Sequence, residues 1–591
     1  MAGANRRWPL VLAVLLCAFC TAARCGEAAA PVGVPDWAIA ALSFREFGKG
    51  LDKAGAYADR LMPNSAELAK EAAMSYLFNL PVEGVLKKDG WAVIFQLDPA
   101  ATGLDDERAY ILCTADAAAM KAALIGAYGV PKEEAGVMLF TLLQPLPLPD
   151  KTLAVKLAGD RLLAAPAPRF LSKLEDYLAL NPGGPFGKDI RGHDPDFQTA
   201  GNRVMSPALP DAALTIKVSS LKRNYEVLLQ NSLEAGARLA TRDAGEAAKL
   251  STRINGLLNT LWELDAVEAR LEVDATGART ALEVLAVAAR RSALAKFLSV
   301  PATPTSGELL SLLPGNAACL ASWNMNGTQL VDWLRDELTE QGQAGQAGAE
   351  TVRALLDLLQ LVPGEAAIAA SGSGNAGGAL LLALRTSDQA KAPQSLAALF
   401  KALEGFFALA SAAGDVKVPL LKALPDEEHS GVALHRYQVD IPVAPVEGFA
   451  SVMGWPPGFQ YALAGGTALL STGKQGSAAL KQAVSDARAP GPNGAGKGPA
   501  AVALPAVAPG TFFVAMVYPA RLAQLALSAA PPVIAADAER LTAGLPDVPL
   551  VLSLRQSENL VGLRLDLPAA VPKAAYDLRM RLRRLDANRG K

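Results

Sequence analysis

Four times along the chain an apolar or alternating run follows a proline turn and gives way to helical spacing. The clearest instance runs from Leu313 to Leu338. After the turn at Pro314-Gly315 comes an apolar run, Ala317 to Trp323, then a polar break from Asn324 to Thr328. Leu330, Trp333, Leu334 and Leu338 then recur at helical spacing. The same order follows Pro35. Trp37 to Leu42 predicts a strand, and Phe47, Leu51, Ala54, Ala58 and Leu61 predict one helix face, with Ser43 and Glu46 at capping-box spacing. After Pro210, Ala213 to Val218 alternates with the period of a half-buried strand. Ser219 or Ser220 stands where a cap is expected, and Leu221, Tyr225, Leu228 and Leu229 form a stripe. After Pro509, Phe512 to Tyr518 predicts a strand and Pro519 a first helical position.

The intervals add a second level of order. Pro35 to Pro210 and Pro314 to Pro509 are long, and Pro210 to Pro314 is short. Within each long interval lies a matching hairpin. Leu153 to Ala165 turns on Ala-Gly and leads to Phe170, Leu171 and Leu174, while Tyr461 to Ser471 turns on Ala-Gly-Gly and leads to Ala478, Ala479 and Leu480. The pattern predicts an α+β chain, internally duplicated, of repeated antiparallel sheets with helices packed on one face. The expected divisions are a signal peptide over 1–28, a first long unit over 29–205 and a first short unit with long helices over 206–303. A second long unit over 304–488, a Gly/Pro/Ala linker over 489–506 and a second short unit over 507–591 follow.

These recurring starts resemble a group of exported bacterial proteins of unknown function, whose domains open with letters like LPADT before a strand and a helix. The likeness covers Pro35, Pro210, Pro314 and Pro509 and about 20 residues after each. It implies a repeated strand–helix fold and no activity.

Composition agrees with a packed protein: of 591 residues 51% are hydrophobic and 19% charged. Arg6-Arg7, the apolar run Trp8 to Phe19 and the small residues Thr21 to Ala23 form an export signal with cleavage expected near Ala23 to Ala28. No later run of about 20 apolar residues predicts a membrane span, so the mature chain is expected in the periplasm or secreted. Cys113 and Cys319 each fall in an apolar strand and read as small buried hydrophobes. A net charge of −2 does not suggest a nucleic-acid partner, and none is expected. The basic tail, Arg579 to Lys591, is the one place where contact with an anionic membrane is expected, against the commoner solvated helix end.

Candidate chemistry is sparse. Gly491 to Lys497 imitates a phosphate loop, but Gly498 stands where a magnesium-binding hydroxyl is required, so no nucleotide is expected. Gly372 to Gly377 has the letters of a dinucleotide fingerprint but leads into the β-like run Ala379 to Leu384 and reads as a turn. Ser219 to Lys222 and Ser471 to Lys474 match Ser-x-x-Lys without its companion motifs. Of three histidines, His193 lies in Arg191-Gly-His-Asp-Pro-Asp196 and His429 follows Asp426-Glu427-Glu428; neither has metal-ligand spacing. The polar site candidates are Arg191, His193, Asp194 and Asp196, with no cofactor or metal assigned. The leading expectation is an exported, non-enzymatic binding or scaffold protein. A periplasmic carrier of an apolar or lipid-like ligand comes next, and a hydrolase third.

Overall fold

The computed structural model describes residues 34–589. The exceptions are 78–84, 88, 105–106, 143–150, 182–209, much of 241–260, 290–291, 299–304, 306–307, 325–363 apart from Asp357, 373–376, 389, 402–419, 441–457, 489–510, 529–536 and 558–559. The chain divides into two compact units. Unit 1 comprises residues up to Pro301 together with Gln556–Ala569, and unit 2 comprises Ala302–Arg555 with Ala570–Lys591.

Unit 1 is built on antiparallel strands. In chain order they are β1 (Ala38–Phe44), β2 (Ala92–Leu97), β3 (Arg108–Cys113), β4 (Lys132–Glu134), β5 (Val137–Leu142), β6 (Lys151–Ala158), β7 (Arg161–Ala165), β8 (Ala212–Lys217), β9 (Leu264–Val273) and β10 (Arg279–Ala288). They pair in the order β4-β5-β6-β7-β3-β2-β1-β8-β9-β10. A strand from the end of the chain, β20 (Leu560–Pro568), pairs with β10 from Arg279↔Pro568 to Val287↔Leu560. Because β1 pairs with β8, strands from either side of residue 205 share one sheet.

The central strands show why. In β2, Val93, Phe95 and Leu97 enter one hydrophobic cluster, while Ala92 and Ile94 enter another. Alternate residues of a strand point to opposite faces, so both faces of this strand are covered. On the first face lies helix Arg169–Leu180, whose Phe170, Leu171, Leu174 and Tyr177 are buried at helical spacing. Phe95 stands between Trp37 and Tyr177 in edge-to-face contacts of 4.9 and 5.0 Å. On the second face lie Phe47, from helix Phe47–Leu61, and Met120 and Leu124, from helix Ala117–Tyr128. The latter helix starts where the Asp116 carboxylate accepts from the amides of Ala118 and Ala119, and stops at Gly129 with φ of 83°. Packing on one face alone, expected from the strand–helix grammar, is therefore corrected here to packing on both. A strand apolar at successive positions needs cover on each side.

A smaller correction concerns the first helix. β1 continues through Ser43 to Phe44, and the helix begins at Phe47 with Glu46 as its cap residue, without a side-chain capping bond. The buried Ser43 therefore serves the strand and makes no capping box. Ser220 likewise lies inside helix Val218–Ala240 and does not precede it.

Unit 2 contains β11 (Ala317–Asn324), β12 (Glu365–Gly372), β13 (Gly378–Arg385), β14 (Leu420–His429), β15 (Val432–Asp440), β16 (Gly458–Ala464), β17 (Thr467–Thr472), β18 (Thr511–Val517) and β19 (Leu550–Ser557). All described pairs are antiparallel, in the order β14-β15-β16-β17-β13-β12-β11-β18-β19. One face packs on helix Gly476–Arg488 through Leu480, Ala483 and Val484, and on a 3-10 turn, Glu308–Leu312. The other face meets a helix through 392–401 that contributes Leu396 and Phe400.

Several predicted elements lie where expected. The hairpin turns at Gly159 and at Gly465-Gly466 take the positive φ that glycine permits, and Gly372 pairs with Gly378 between β12 and β13, residues 373–376 of the dinucleotide letters lying outside the described residues. Ser219 to Lys222 is helical, and Ser471 is buried in β17. Cys113 is buried and Cys319 partly so, and burial raises the pKa of both thiols. The helix after Asn324, the phosphate-loop imitation and the linker lie outside the described residues. Among the described residues no helix is long and apolar enough to cross a membrane, which says nothing of strands.

Candidate functional site

Arg191, His193, Asp194 and Asp196 lie outside the described residues. Both histidines that are described, His429 and His435, lie on the β14–β15 hairpin, on opposite faces. The hairpin turns at Ser430-Gly431, both with positive φ, the geometry of a tight two-residue turn.

One face carries Glu427, His429, Leu434 and Arg436. Leu434 is fully buried in the core shared with helix Gly476–Arg488. Around it, polar groups fasten the hairpin to that helix. Lys481 Nζ donates to Glu427 Oε1, and the Arg488 guanidinium donates to the Ser430 carbonyl. His429 Nε2 lies 3.1 Å from Ser485 Oγ. Ser485 Oγ also donates to the Lys481 carbonyl one helical turn back, at 3.0 Å, so its hydroxyl is shared between that carbonyl and the imidazole. A serine activated for attack has its proton committed to the imidazole nitrogen, whereas here a backbone carbonyl competes for it. The pair ties the hairpin to the helix. The Lys481 hydrogen bond lowers the Glu427 pKa against the opposing effect of desolvation, with the charges of Lys481, Arg436 and His429 adding to the lowering.

The other face carries rings. Tyr437 stands opposite Phe459 across β15–β16, and His435 opposite Tyr461. Phe400 lies parallel to Tyr437 at 4.6 Å and to Tyr461 at 5.3 Å. His435 lies 4.6 Å from Tyr461 with a tilt of 32°, and its Nδ1 is 3.0 Å from Asp426 Oδ2. Asp426 reaches this face because the β14–β15 register shifts between Leu424 and Glu427, inserting residues that have no partner. Tyr461 is buried while Phe459 is 38% exposed. Burial first, then the neighbouring Tyr437 and Asp426, push the Tyr461 phenol up to about 12. It stays neutral, a donor or acceptor and not a base. Phe400 stacks over Tyr437 and Tyr461 and closes this ring face, with a carboxylate–imidazole pair, Asp426 and His435, at its partly exposed edge.

The sequence reading flagged Asp426 to His429 as one cluster. The structure separates it, His429 to the face against helix Gly476–Arg488 and Asp426 to the edge of the ring face. His435, Tyr437, Phe459, Tyr461 and Phe400 were missed. Their signal was rings at alternate positions in two adjoining strands, which reads as ordinary core until the partner strand is known.

A second polar cluster, also missed, is structural. The Asp98 carboxylate is fully buried. It accepts from the Ala100 amide at 3.0 Å and from Asn224 Nδ2 at 2.9 Å, and it is paired with Arg223. These contacts cap a single helical turn, Pro99–Thr102, and tie it to helix Val218–Ala240. Burial alone would raise this carboxyl, but Asn224, Arg223 and Ser220 together bring it below its ordinary value. Among the described residues no group of three His, Cys, Asp or Glu side chains gathers to hold a metal ion. Compared with family models, with curated proteins and with solved structures, the chain matches none.

Proposed function

We propose that the protein is an exported, non-enzymatic binding or scaffold protein built on an internally duplicated frame. The observation that carries this reading is the fate of the reactive side chains on the hairpin. The Ser485 hydroxyl is shared between a backbone carbonyl and His429, and both side chains lie between the hairpin and the helix that covers it. Duplication is supported by the pairing order. Adding ten to each strand number in β4-β5-β6-β7-β3-β2-β1-β8-β9 reproduces the order of unit 2. The helices after β7 and β17 and after β8 and β18 fall in matching places. Export rests on the charged, apolar and small-residue sequence before residue 28.

Native mass spectrometry of protein purified from its own host tests the proposal. A polypeptide lacking the leader, bare or carrying a polar or macromolecular partner, is expected. A retained leader would remove the export assignment, and a stoichiometric lipid would replace the scaffold by the carrier of an apolar ligand.

A further inference from the structure

Helix Ala570–Arg589 of unit 2 has two faces of different character. It packs on helices Pro519–Ser528 and Ala538–Thr542. Val571, Ala574, Leu578, Leu582 and Leu585 recur at helical spacing and form its buried or half-buried stripe. Arg581 belongs to that side, where it donates to the carbonyls of Leu541 and Ala543. At about 100° per residue, the opposite face carries Tyr576, Arg579, Met580 and Arg583, with Arg584 at its margin. Tyr576 is 48% exposed, and Arg579, Arg583 and Arg584 are all exposed on the same side.

The two ends of this helix differ in how their charge is met. Lys573 Nζ lies 3.0 Å from Asp577 Oδ2, one turn on. Arg579, Arg583 and Arg584 have no ion-pair partner among the described residues. Arg579 and Arg583 also stand one turn apart, where like charges repel. On other helices Lys49, Lys70 and Lys121 each face a carboxylate. The helix dipole does not account for the cluster. It favours cations only within the last turn, and Arg579 lies ten residues before the final helical residue, Arg589. The chain as a whole has more carboxylates than cations, 58 against 56. Unpaired arginines gathered on one open face of such a chain are complementary to an anion from outside.

We propose that this face docks on an anionic phospholipid bilayer. The proposal rests on the export and binding readings above and names the partner. A guanidinium fork matches phosphate oxygens two at a time. A half-exposed tyrosine among arginines suits the headgroup layer, where its ring meets apolar matter and its hydroxyl meets water. A nucleic-acid duplex fits less well. Its binders neutralise about 6–10 phosphates, and three arginines within about 8 Å of helix reach fewer. Because the apolar stripe is already used inside unit 2, the contact is one of charge and headgroup, not of insertion. It is therefore sensitive to salt.

The test is flotation of the full mature chain with phosphatidylcholine vesicles, with and without about one-third phosphatidylglycerol. Binding is expected to the anionic vesicles alone, and is expected to be reversed by about 1 M salt, where screening is nearly complete. Arg579→Gln, Arg583→Gln and Arg584→Gln are each expected to weaken it about fivefold, and the three together about a hundredfold. All three positions are exposed, so the variants should fold, which thermal melts verify. Lys87→Gln, Lys132→Gln and Lys391→Gln together remove the same charge from exposed positions elsewhere and are expected to leave binding unchanged. Equal affinity for both vesicles, or anionic binding that survives the triple arginine variant, would overturn the proposal. So would an equal loss in the lysine control, or tighter binding to a DNA duplex than to anionic vesicles at the same salt. No docking on any vesicle would overturn it and leave the non-enzymatic reading standing. Hydrolysis of the vesicle lipid by the docked protein would uphold the docking and refute that reading, so the two failures are distinguishable.

Discussion

At the scale of single residues, burial decides which polar groups are indispensable. Asp98 is an internal carboxylate whose oxygens are all spoken for by donors. Replacing it by Ala removes a helix cap and takes one acceptor each from Asn224 and Arg223, leaving both with Ser220 alone. Chemical denaturation is expected to show a loss on the order of 2–3 kcal/mol, and Asp98→Asn, which keeps one acceptor oxygen, a smaller loss. Gly277 is constrained by geometry. It turns β9 into β10 at φ of 66°, and a Cβ there would stand 2.6 Å from the Tyr57 amide nitrogen. Gly277→Ala is therefore expected to destabilise by more than about 1 kcal/mol, since neither the backbone angle nor the rigid neighbour can give way cheaply. The turn at Thr276-Gly277 was legible in the letters; the approach of the first helix to it was not, because only tertiary structure brings Tyr57 there. Asp98 was invisible for the same reason, its partners lying more than a hundred residues away.

At the scale of elements, the β14–β15 hairpin is held to its helix by charge as well as by Leu434. Lys481 keeps Glu427 ionised to lower pH than an ordinary glutamate. Folding therefore gains from this pair above the unfolded carboxyl value of about 4.3, and the gain is lost as pH falls through the lower folded value. The protection factors of the His429 and Val432 amides, a strand pair at the base of the turn, are expected to be high at neutral pH and to fall on acidification below that range. In Glu427→Gln the same amides should exchange faster at neutral pH and lose that acid step. The hairpins at Gly159 and Gly465, the helix Ala117–Tyr128 and the start of helix Pro519–Ser528 could be read from turn chemistry and period. The number of covered faces could not. Ala92 to Leu97 is apolar at every position but Gln96, a pattern that fits a strand covered on both sides, but the strand–helix grammar directed attention to one helix per strand. The basic tail resolves into helix Ala570–Arg589, in which Arg581 donates to the carbonyls of Leu541 and Ala543. At least one of its cations thus braces the end of helix Ala538–Thr542, a structural use that charge counting alone does not reveal.

At the scale of the molecule, unit 1 is discontinuous, closing on β20 from the far end of the chain. Nine residue pairs join β10 to β20, and Arg564 bridges to Glu272 at 3.1 Å and to Asp566 at 3.2 Å. A chain ending at residue 301 would leave β10 as a bare edge and remove a partner of Glu272. Such a fragment is expected to aggregate or to melt well below the full chain in scanning calorimetry, and an added peptide covering 556–569 is expected to restore it in part. The fourfold proline–strand rhythm was legible because turns and periods are local. The sheet that β1 and β8 build together was not, because sequence spacing does not say which strand pairs with which. The stack of Phe400 on Tyr437 and Tyr461 belongs to that same class of fact.

The most direct test of the whole account is turnover. The mature protein from its own host would be incubated with ester, peptide, phosphoester and glycoside substrates, with His429→Ala and His435→Ala variants beside it. The account predicts no turnover above a buffer control by any of the three proteins, with His429→Ala only modestly less stable. Hydrolysis by the wild type that either histidine variant abolishes would contradict it.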